Sequence, residues 1–246
     1  MKLHGGAFGD RGGIRPSKAT LEAEDVEATM LGAKTNLDRH IRNMASFGVP
    51  VVVSINRFAS DTDAELAAIT QAAHESGASA VCLTEVHANG GEGGKDLAEA
   101  VVKAVQRHVA AGRPFVPLFT PETDVLEKAS AIATRMYKAE GLELTTKAQR
   151  ELDRIRSWGY GHLPVCMAKT QYSFSHDASL LGAPSGFTVP VREFRLNAGA
   201  GFVVAVLGDM MTMPGLPKRP AALDMDMDED GNPVSYTHLR AHETSN

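Results

Sequence analysis

Apolar and polar positions divide the first half of the chain into buried strands and amphipathic helices. The clearest apolar run is residues 51–55, Val-Val-Val-Ser-Ile. This run predicts a strand that is apolar on both faces, which is typical of a parallel sheet covered by helices. It stops at Asn56, and a polar loop with a single aromatic residue, Phe58, follows. Because ligands of open parallel sheets bind just outside the carboxyl ends of the strands, this loop is a candidate binding site.

The order strand, loop, helix then occurs a second time. Residues 64–75 predict a helix whose acidic first turn matches the helix dipole. Residues 80–86 predict the next buried strand, and residues 97–108 follow a helical apolar stripe. The loop between them, 87–94, holds His87 and four glycines. Two such repeats predict an α/β fold with right-handed crossover connections.

A second region begins near Arg113 and predicts a smaller C-terminal α/β lobe. Apolar spacing indicates helices near 125–136 and 146–157, the latter opened by a capping box from Thr146 to Gln149. Strands are predicted near 163–168, 188–196 and 201–207. We therefore expect a first domain at 1–112, a second at 113–234, and a disordered, non-native tail at 235–246. Residues 1–6 are expected to be the last residues of a strand that runs into a glycine loop, and the alternative, which composition alone favours, is a flexible N-terminus.

Composition excludes several function classes. The 246 residues are 43% hydrophobic and 22% charged, an ordinary globular composition. The net charge of −5 gives no reason to expect a nucleic-acid partner, and no apolar run has the length of a membrane span. Cys82 and Cys166 lie far apart in apolar segments, so buried free thiols in a reducing cytoplasm are expected.

Known catalytic and metal-binding motifs are absent from the sequence. There is no Gly-x-x-x-x-Gly-Lys-Ser/Thr, no Gly-x-Ser-x-Gly and no Cys-x-x-Cys. The acidic pattern at 226–231 lacks the glutamate that a calcium loop needs at its twelfth position, where Thr237 stands, and predicts a solvated turn. The glycines at 90–94 are better explained by a tight turn than by a phosphate cradle. What remains is a rim of two strand-end loops, with Phe58 offering a stacking face for a planar heterocycle.

Five segments together resemble the formate–tetrahydrofolate ligase family. They are Lys-x-His-Gly-Gly at 2–6, Val-Val-Ser-Ile-Asn-Arg-Phe at 52–58, Gly-Gly-Glu-Gly-Gly at 90–94, Ala-Lys-Thr-Gln-Tyr-Ser-Phe-Ser at 168–175, and Met-Thr-Met-Pro-Gly-Leu-Pro at 211–217. The resemblance runs from residue 1 to about 234. It covers the C-terminal part of that enzyme, somewhat under half of it.

The resemblance implies a ligase of one-carbon metabolism. Its substrates are formate, ATP with Mg²⁺, and tetrahydrofolate, which is formylated at N10 through formyl phosphate; a monovalent cation is possible. In the family, an aromatic ring at the position of Phe58 and a tryptophan at the position of His87 sandwich the pterin. The implied nucleotide contacts are Asn56 with Gly5 and Gly6, and the implied sheet is that of P-loop NTPases. A cytoplasmic homotetramer is expected from the family.

The chain differs from the family pattern in two ways that bear on its expected activity. His87 stands where the family has tryptophan, and the family's P-loop lysine and formyl-phosphate residues lie outside the matching region. Because those groups neutralise phosphoryl charge, we expect no catalytic residues in this chain and no ligase activity from it alone. The alternatives are a folate- or nucleotide-binding module without catalysis and a fragment that does not fold well.

Overall fold

Short parallel strand pairs with helices packed beside them organise the chain, which has the predicted α/β class. The computed structural model describes residues 1–5, 18–208, 226–227 and 233–234. These belong to two units, Met1–Gly208 and Asp209–Asn246, which are considered separately. No helix within those ranges is long and apolar enough to cross a membrane.

The first unit contains the helices and most strands of the described residues. Its helices are α1 (Lys18–Glu22), α2 (Val26–Gly32), α3 (Asp38–Ala45), α4 (Asp63–Glu75), α5 (Val86–Asn89), α6 (Lys95–Ala110), α7 (Val125–Ala131) and α8 (Thr146–Ser157). Its strands are β1 (Val52–Asn56), β2 (Ala80–Thr84), β3 (Gly141–Leu144), β4 (Val165–Ala168), β5 (Thr188–Val191), β6 (Glu193–Asn197) and β7 (Phe202–Val206). Two π-helical turns, Ala33–Leu37 and Ile132–Met136, extend α2 and α7.

The first core lies on one face of the pair β1–β2. The two strands are parallel, and α4 connects them. Val53 and Ile55 are buried with Ile41 of α3 and Leu66 of α4, whereas Ser54 and Asn56 on the other face of β1 are exposed. β1 therefore has one buried face among the described residues, not the two that its apolar run predicts.

The second core joins two further sheets. β3 pairs with β5 in parallel, and a three-stranded sheet has the order β4-β7-β6, with β4 and β7 parallel and β6 antiparallel to β7. Helices α7 and α8 pack against these strands, because α8 presents Leu152 and Ile155 on one side at helical spacing. The cap of α8 is Thr145, whose Oγ1 accepts from the Ala148 amide. The predicted capping box from Thr146 to Gln149 is therefore wrong, because Thr146 is already the first helical residue.

A long connection between β4 and β5 links the two cores. Its Gly182 carbonyl accepts from the Asn36 side chain at 3.2 Å, and the ring of Phe174 lies 4.6 Å from that of His40. Lys169 donates to the carbonyls of Thr170 and Ser173, which closes the start of the connection. Burial lowers the pKa of the Lys169 ammonium. The Lys-Thr-Gln-Tyr-Ser-Phe-Ser segment thus has a structural role in joining the cores.

The N-terminus differs from its prediction. Lys2–Gly5 is a 3₁₀ helix, not the end of a strand. Lys2 Nζ lies 2.8 Å from the buried Glu65 carboxylate of α4, which also accepts from the Asp25 amide at 2.7 Å. Burial raises the pKa of Glu65, but these hydrogen bonds and the Lys2 charge more than offset that effect, and its pKa lies below the usual value. The segment packs on α2, and this ion pair connects it to α4.

Three other expectations have different outcomes. The predicted strand at 188–196 is two strands, β5 and β6, which belong to different sheets. The cysteines are free but not buried, since Cys82 is half-buried and Cys166 is exposed. The proposed boundary at 112/113 stays a prediction; the hydrophobic clusters on either side of it are separate, while residues 1–208 form one unit.

The second unit is described only at an antiparallel pair, β8 (Asp226–Met227) with β9 (Pro233–Val234). Of the acidic turn expected at 226–231, the first two residues belong to β8 and the rest lies outside the described residues, as does the expected tail at 235–246.

Candidate functional site

The carboxyl ends of β1 and β2 lie side by side. Their register aligns Asn56 with Thr84, the last residue of each strand. Thr84 is buried, and its hydroxyl lies 3.1 Å from the Ser54 hydroxyl and donates to the Ile55 carbonyl at 3.2 Å. The Arg57 amide donates to the Thr84 carbonyl at 3.0 Å. These bonds fix the starting points of the two predicted loops at one sheet edge, as the sequence analysis expects.

The first loop presents Phe58 on a closed turn. The Phe58 amide donates to the Asp61 carboxylate at 2.8 Å, and the Asp61 amide donates to the Phe58 carbonyl at 3.0 Å. The next residue, Thr62, caps α4 by accepting from the Glu65 amide. With both sides of the turn fixed, the Phe58 ring remains 63% exposed. The predicted stacking face of Phe58 is therefore open to solvent at this sheet edge.

The second loop, where a tight turn is predicted at the glycines, is helical. It consists of α5 and a 3₁₀ helix, Gly90–Gly94, that folds back so that the Glu85 amide donates to the Gly93 carbonyl at 3.0 Å. A Cβ on Gly93 would lie 2.5 Å from the Glu85 carbonyl oxygen, and Gly90 has a φ of +55°. Glycine is therefore needed at both positions to build this turn. His87 lies on α5 and is exposed.

Arg57 bridges the two loops. Its guanidinium lies 3.5 Å from the Asp63 carboxylate and 3.8 Å from that of Glu85. These exposed contacts are long and contribute little to stability individually. Their effect is positional, because they connect the start of α4 with the first residue after β2.

A groove of about 500 Å³ opens beside this bridge. Besides the bridge, its walls include Leu83, Asn89, Glu92 and Asp96. Phe58 and His87 are not among the groove residues, and within the described chain no ring contact joins them. The structure thus places both predicted folate residues exposed at one edge of the molecule, and their action as a clamp stays a prediction. A smaller cavity, about 270 Å³, lies along the polar side of α6 near Ser79.

The predicted nucleotide residues are not brought together by the described chain. Asn56 is exposed at the end of β1. Gly5 is buried, and a Cβ there would lie 1.6 Å from the Ala28 carbonyl of α2, so close helix packing accounts for this glycine. Gly6 lies outside the described residues. The nucleotide role of the three residues stays a prediction.

His4, in the 3₁₀ helix Lys2–Gly5, is a structural acceptor. Its Nδ1 accepts from the Gly182 amide at 3.2 Å. Burial lowers the pKa of His4, and the charges of the N-terminal amino group and His40 lower it further. Among the described residues, no group of three His, Cys, Asp or Glu side chains could hold a metal ion.

The roles of Asp61, Arg57 and Glu85 at this edge were not predicted. For Asp61 the only signal was its residue type, since aspartate side chains commonly bond to nearby backbone amides in turns. The Arg57–Glu85 bridge had no local signal, because it depends on the pairing of β1 with β2.

Comparison with known proteins gives one family. The family model "Formate--tetrahydrofolate ligase" matches residues 1–235. The chain belongs to the formate–tetrahydrofolate ligase family. It is 48% identical over 231 residues to the formate–tetrahydrofolate ligase of Roseobacter denitrificans and 49% identical over 232 residues to that of Paracoccus denitrificans. Each match covers 94% of the chain and 39% of the relative, so the chain spans about two fifths of the length of these ligases.

Proposed function

We propose that this chain supplies the folate-binding part of a formate–tetrahydrofolate ligase. The observation that carries the proposal is the exposed Phe58 ring, held on its own closed turn at the edge where β1 and β2 end. A fixed, exposed aromatic face suits stacking against the pterin ring of tetrahydrofolate. His87, exposed on the neighbouring α5, would be the second face of the clamp.

The wider proposal follows the family. The reaction is the formylation of tetrahydrofolate at N10 by formate and ATP with Mg²⁺, through formyl phosphate, in a homotetramer that also takes a monovalent cation. Asn56 would contact the nucleotide, with Gly5 and Gly6 nearby. The pair β1–β2 would be part of a larger parallel sheet of the P-loop type. The Phe58 turn and the Arg57 bridge support only the folate role directly.

The 246 residues are expected to bind tetrahydrofolate without turnover. The sequence contains no Gly-x-x-x-x-Gly-Lys-Ser/Thr to hold the phosphates of ATP, and such groups are needed to neutralise the transferring phosphoryl charge. Calorimetric titration with tetrahydrofolate should give saturable one-to-one binding. An assay dependent on ATP and formate should show no product, with the Paracoccus denitrificans ligase as the positive control.

Each alternative has its own result in that experiment. Turnover by the chain would contradict the proposed lack of catalysis. A chain that melts cooperatively but takes up no tetrahydrofolate would refute the folate role. Absence of a cooperative thermal unfolding transition would support the other alternative, a fragment that does not fold well.

His87→Trp is expected to tighten tetrahydrofolate binding by about threefold to tenfold. An indole offers more stacking area than an imidazole, and aromatic pairs contribute about 0.5–1.5 kcal/mol beyond burial. The measurement is the dissociation constant from calorimetry. His74→Trp is the matched control, since His74 is also exposed but lies at the far end of α4. Equal affinities of the wild type and His87→Trp for tetrahydrofolate would show that residue 87 does not contact the pterin.

A further inference from the structure

Helix α6 carries a wider apolar arc than the described chain covers. Its inner side faces β2 and buries Ala104. A second line of apolar residues follows at helical spacing on the adjoining side. This valine stripe consists of Val101, Val102, Val105 and Val109, whose exposed fractions are 44%, 54%, 53% and 71%. At 100° per residue it adds roughly 100° of apolar arc to the buried side.

The sheet beneath α6 is also incomplete for its type. Among the described residues β1 and β2 form a sheet of only two strands, and Leu83 of β2 is 43% exposed. Parallel sheets are normally covered on both faces and contain more strands. The exposed side of the helix and the two-stranded sheet therefore both indicate that additional α/β structure packs beside them.

We propose that the valine stripe is the surface on which the remaining part of a formate–tetrahydrofolate ligase packs. The inference rests on the proposed function. Its support is the exposed arc together with the 61% of each curated relative that lies outside the match. A second copy of this chain would meet only half of the requirement. It would cover the stripe, but a two-fold axis pairs like strands antiparallel and so does not extend the parallel sheet of β1 and β2. The charged residues of α6, such as Glu99 and Lys103, pair with each other on the opposite side and leave the stripe uncharged.

Cysteine labelling tests this interface. Val105→Cys and, as the control on the polar side of the same helix, Lys103→Cys are made with Cys82 and Cys166 replaced by serine. Each is placed in this chain and in a chimera in which the chain replaces the matching region of the Roseobacter denitrificans ligase. In the chain alone at low concentration, both thiols should react at similar rates. In the chimera, the Val105→Cys thiol should react at least tenfold more slowly, whereas the Lys103→Cys rate should not change.

The same two substitutions at the aligned positions of the natural Paracoccus denitrificans ligase give a second readout that needs no fusion joint. Equal labelling of Val105→Cys alone and in the longer proteins would overturn the proposal. The proposal would also fail if the Val105→Cys thiol of the chain alone became protected at high concentration while light scattering showed a doubled mass. A second copy of the chain would then cover the stripe. Labelling does not require tetrahydrofolate, so a protected Val105→Cys thiol in a chimera without folate binding would refute only the proposed function.

Discussion

Replacing Lys128 by methionine is expected to lower the free energy of unfolding by about 1.5–3 kcal/mol, the contribution of hydrogen bonds to a charged group. Lys128 lies on α7 and is only 1% exposed. Its ammonium donates to the carbonyls of Pro121, at 2.8 Å, and of His162. It also lies 3.4 Å from the Leu163 carbonyl and 5.7 Å from the centre of the Phe119 ring.

The expected loss comes from the carbonyls that remain. Burial lowers the pKa of Lys128, so the folded state incurs a cost for desolvating the charge, only partly offset by Glu122 and Asp124. Methionine removes that cost but leaves the Pro121, His162 and Leu163 carbonyls without this donor. Pro121 and His162 are exposed residues, so water can replace part of this donation, and the expected loss is that of hydrogen bonds to a charged group, about 1.5–3 kcal/mol. The change also removes a side-chain link between α7 and the segment before β4, where the bond from the Val125 amide to the Gly161 carbonyl at 2.7 Å remains.

Urea unfolding of the wild type and Lys128→Met measures this effect through the transition midpoint and slope. Lys103→Met is the matched control, because Lys103 is exposed and makes only an i,i+4 pair with Glu99. That pair is worth about 0.3–0.5 kcal/mol. If Lys128→Met unfolds within 1 kcal/mol of this control, the buried ammonium does not organise α7 in the way described.

The sequence predicts elements well where a periodic pattern meets local chemistry. Residues 64–75 predict α4 to within one residue, because the helical pattern begins at a threonine whose hydroxyl can cap it. Residues 201–207 similarly predict β7 from an apolar run bounded by a glycine with a φ of +73°. In both cases the information lies within the segment.

Predictions fail where distant residues decide the outcome. The 3₁₀ helix at Lys2–Gly5 packs on α2 and pairs with Glu65, more than sixty positions away. The split of 188–196 into β5 and β6 depends on two different partner strands. Lys128 is a charged residue in a helical pattern, where surface exposure is the normal expectation. Its burial follows from carbonyls of the chain before β4, which no local pattern indicates.

In the candidate site, too, features set by the local sequence were predicted and features set by contacts across the fold were not. The end of β1 and the single aromatic residue after it predict the position and exposure of Phe58. The helical form of the second loop was not predicted, because four glycines normally favour irregular chain. Its fold depends on the close approach of Gly93 to the Glu85 carbonyl, a contact made across the loop.

Phe58→Ala is expected to weaken tetrahydrofolate binding by about 30-fold or more. A central aromatic anchor typically contributes at least about 2 kcal/mol to binding, and alanine removes the stacking face entirely. The folded state should lose little, since the Phe58 ring is largely exposed and the turn is held by backbone and Asp61 atoms. An exposed substitution of this kind changes stability by about 0.5 kcal/mol or less. A binding defect would therefore not be a folding defect.

Phe115→Ala is the control that makes this result specific. Phe115 is 61% exposed, close to the value for Phe58, but it stacks on Phe47 at 5.6 Å, in the chain that follows α6. Calorimetry should give a near wild-type dissociation constant for Phe115→Ala and a strongly raised one for Phe58→Ala. Phe58→Tyr should retain most of the affinity, because the aromatic face remains. Unchanged tetrahydrofolate affinity in Phe58→Ala would mean that the pterin binds elsewhere, and the clamp at the β1–β2 edge would have to be abandoned.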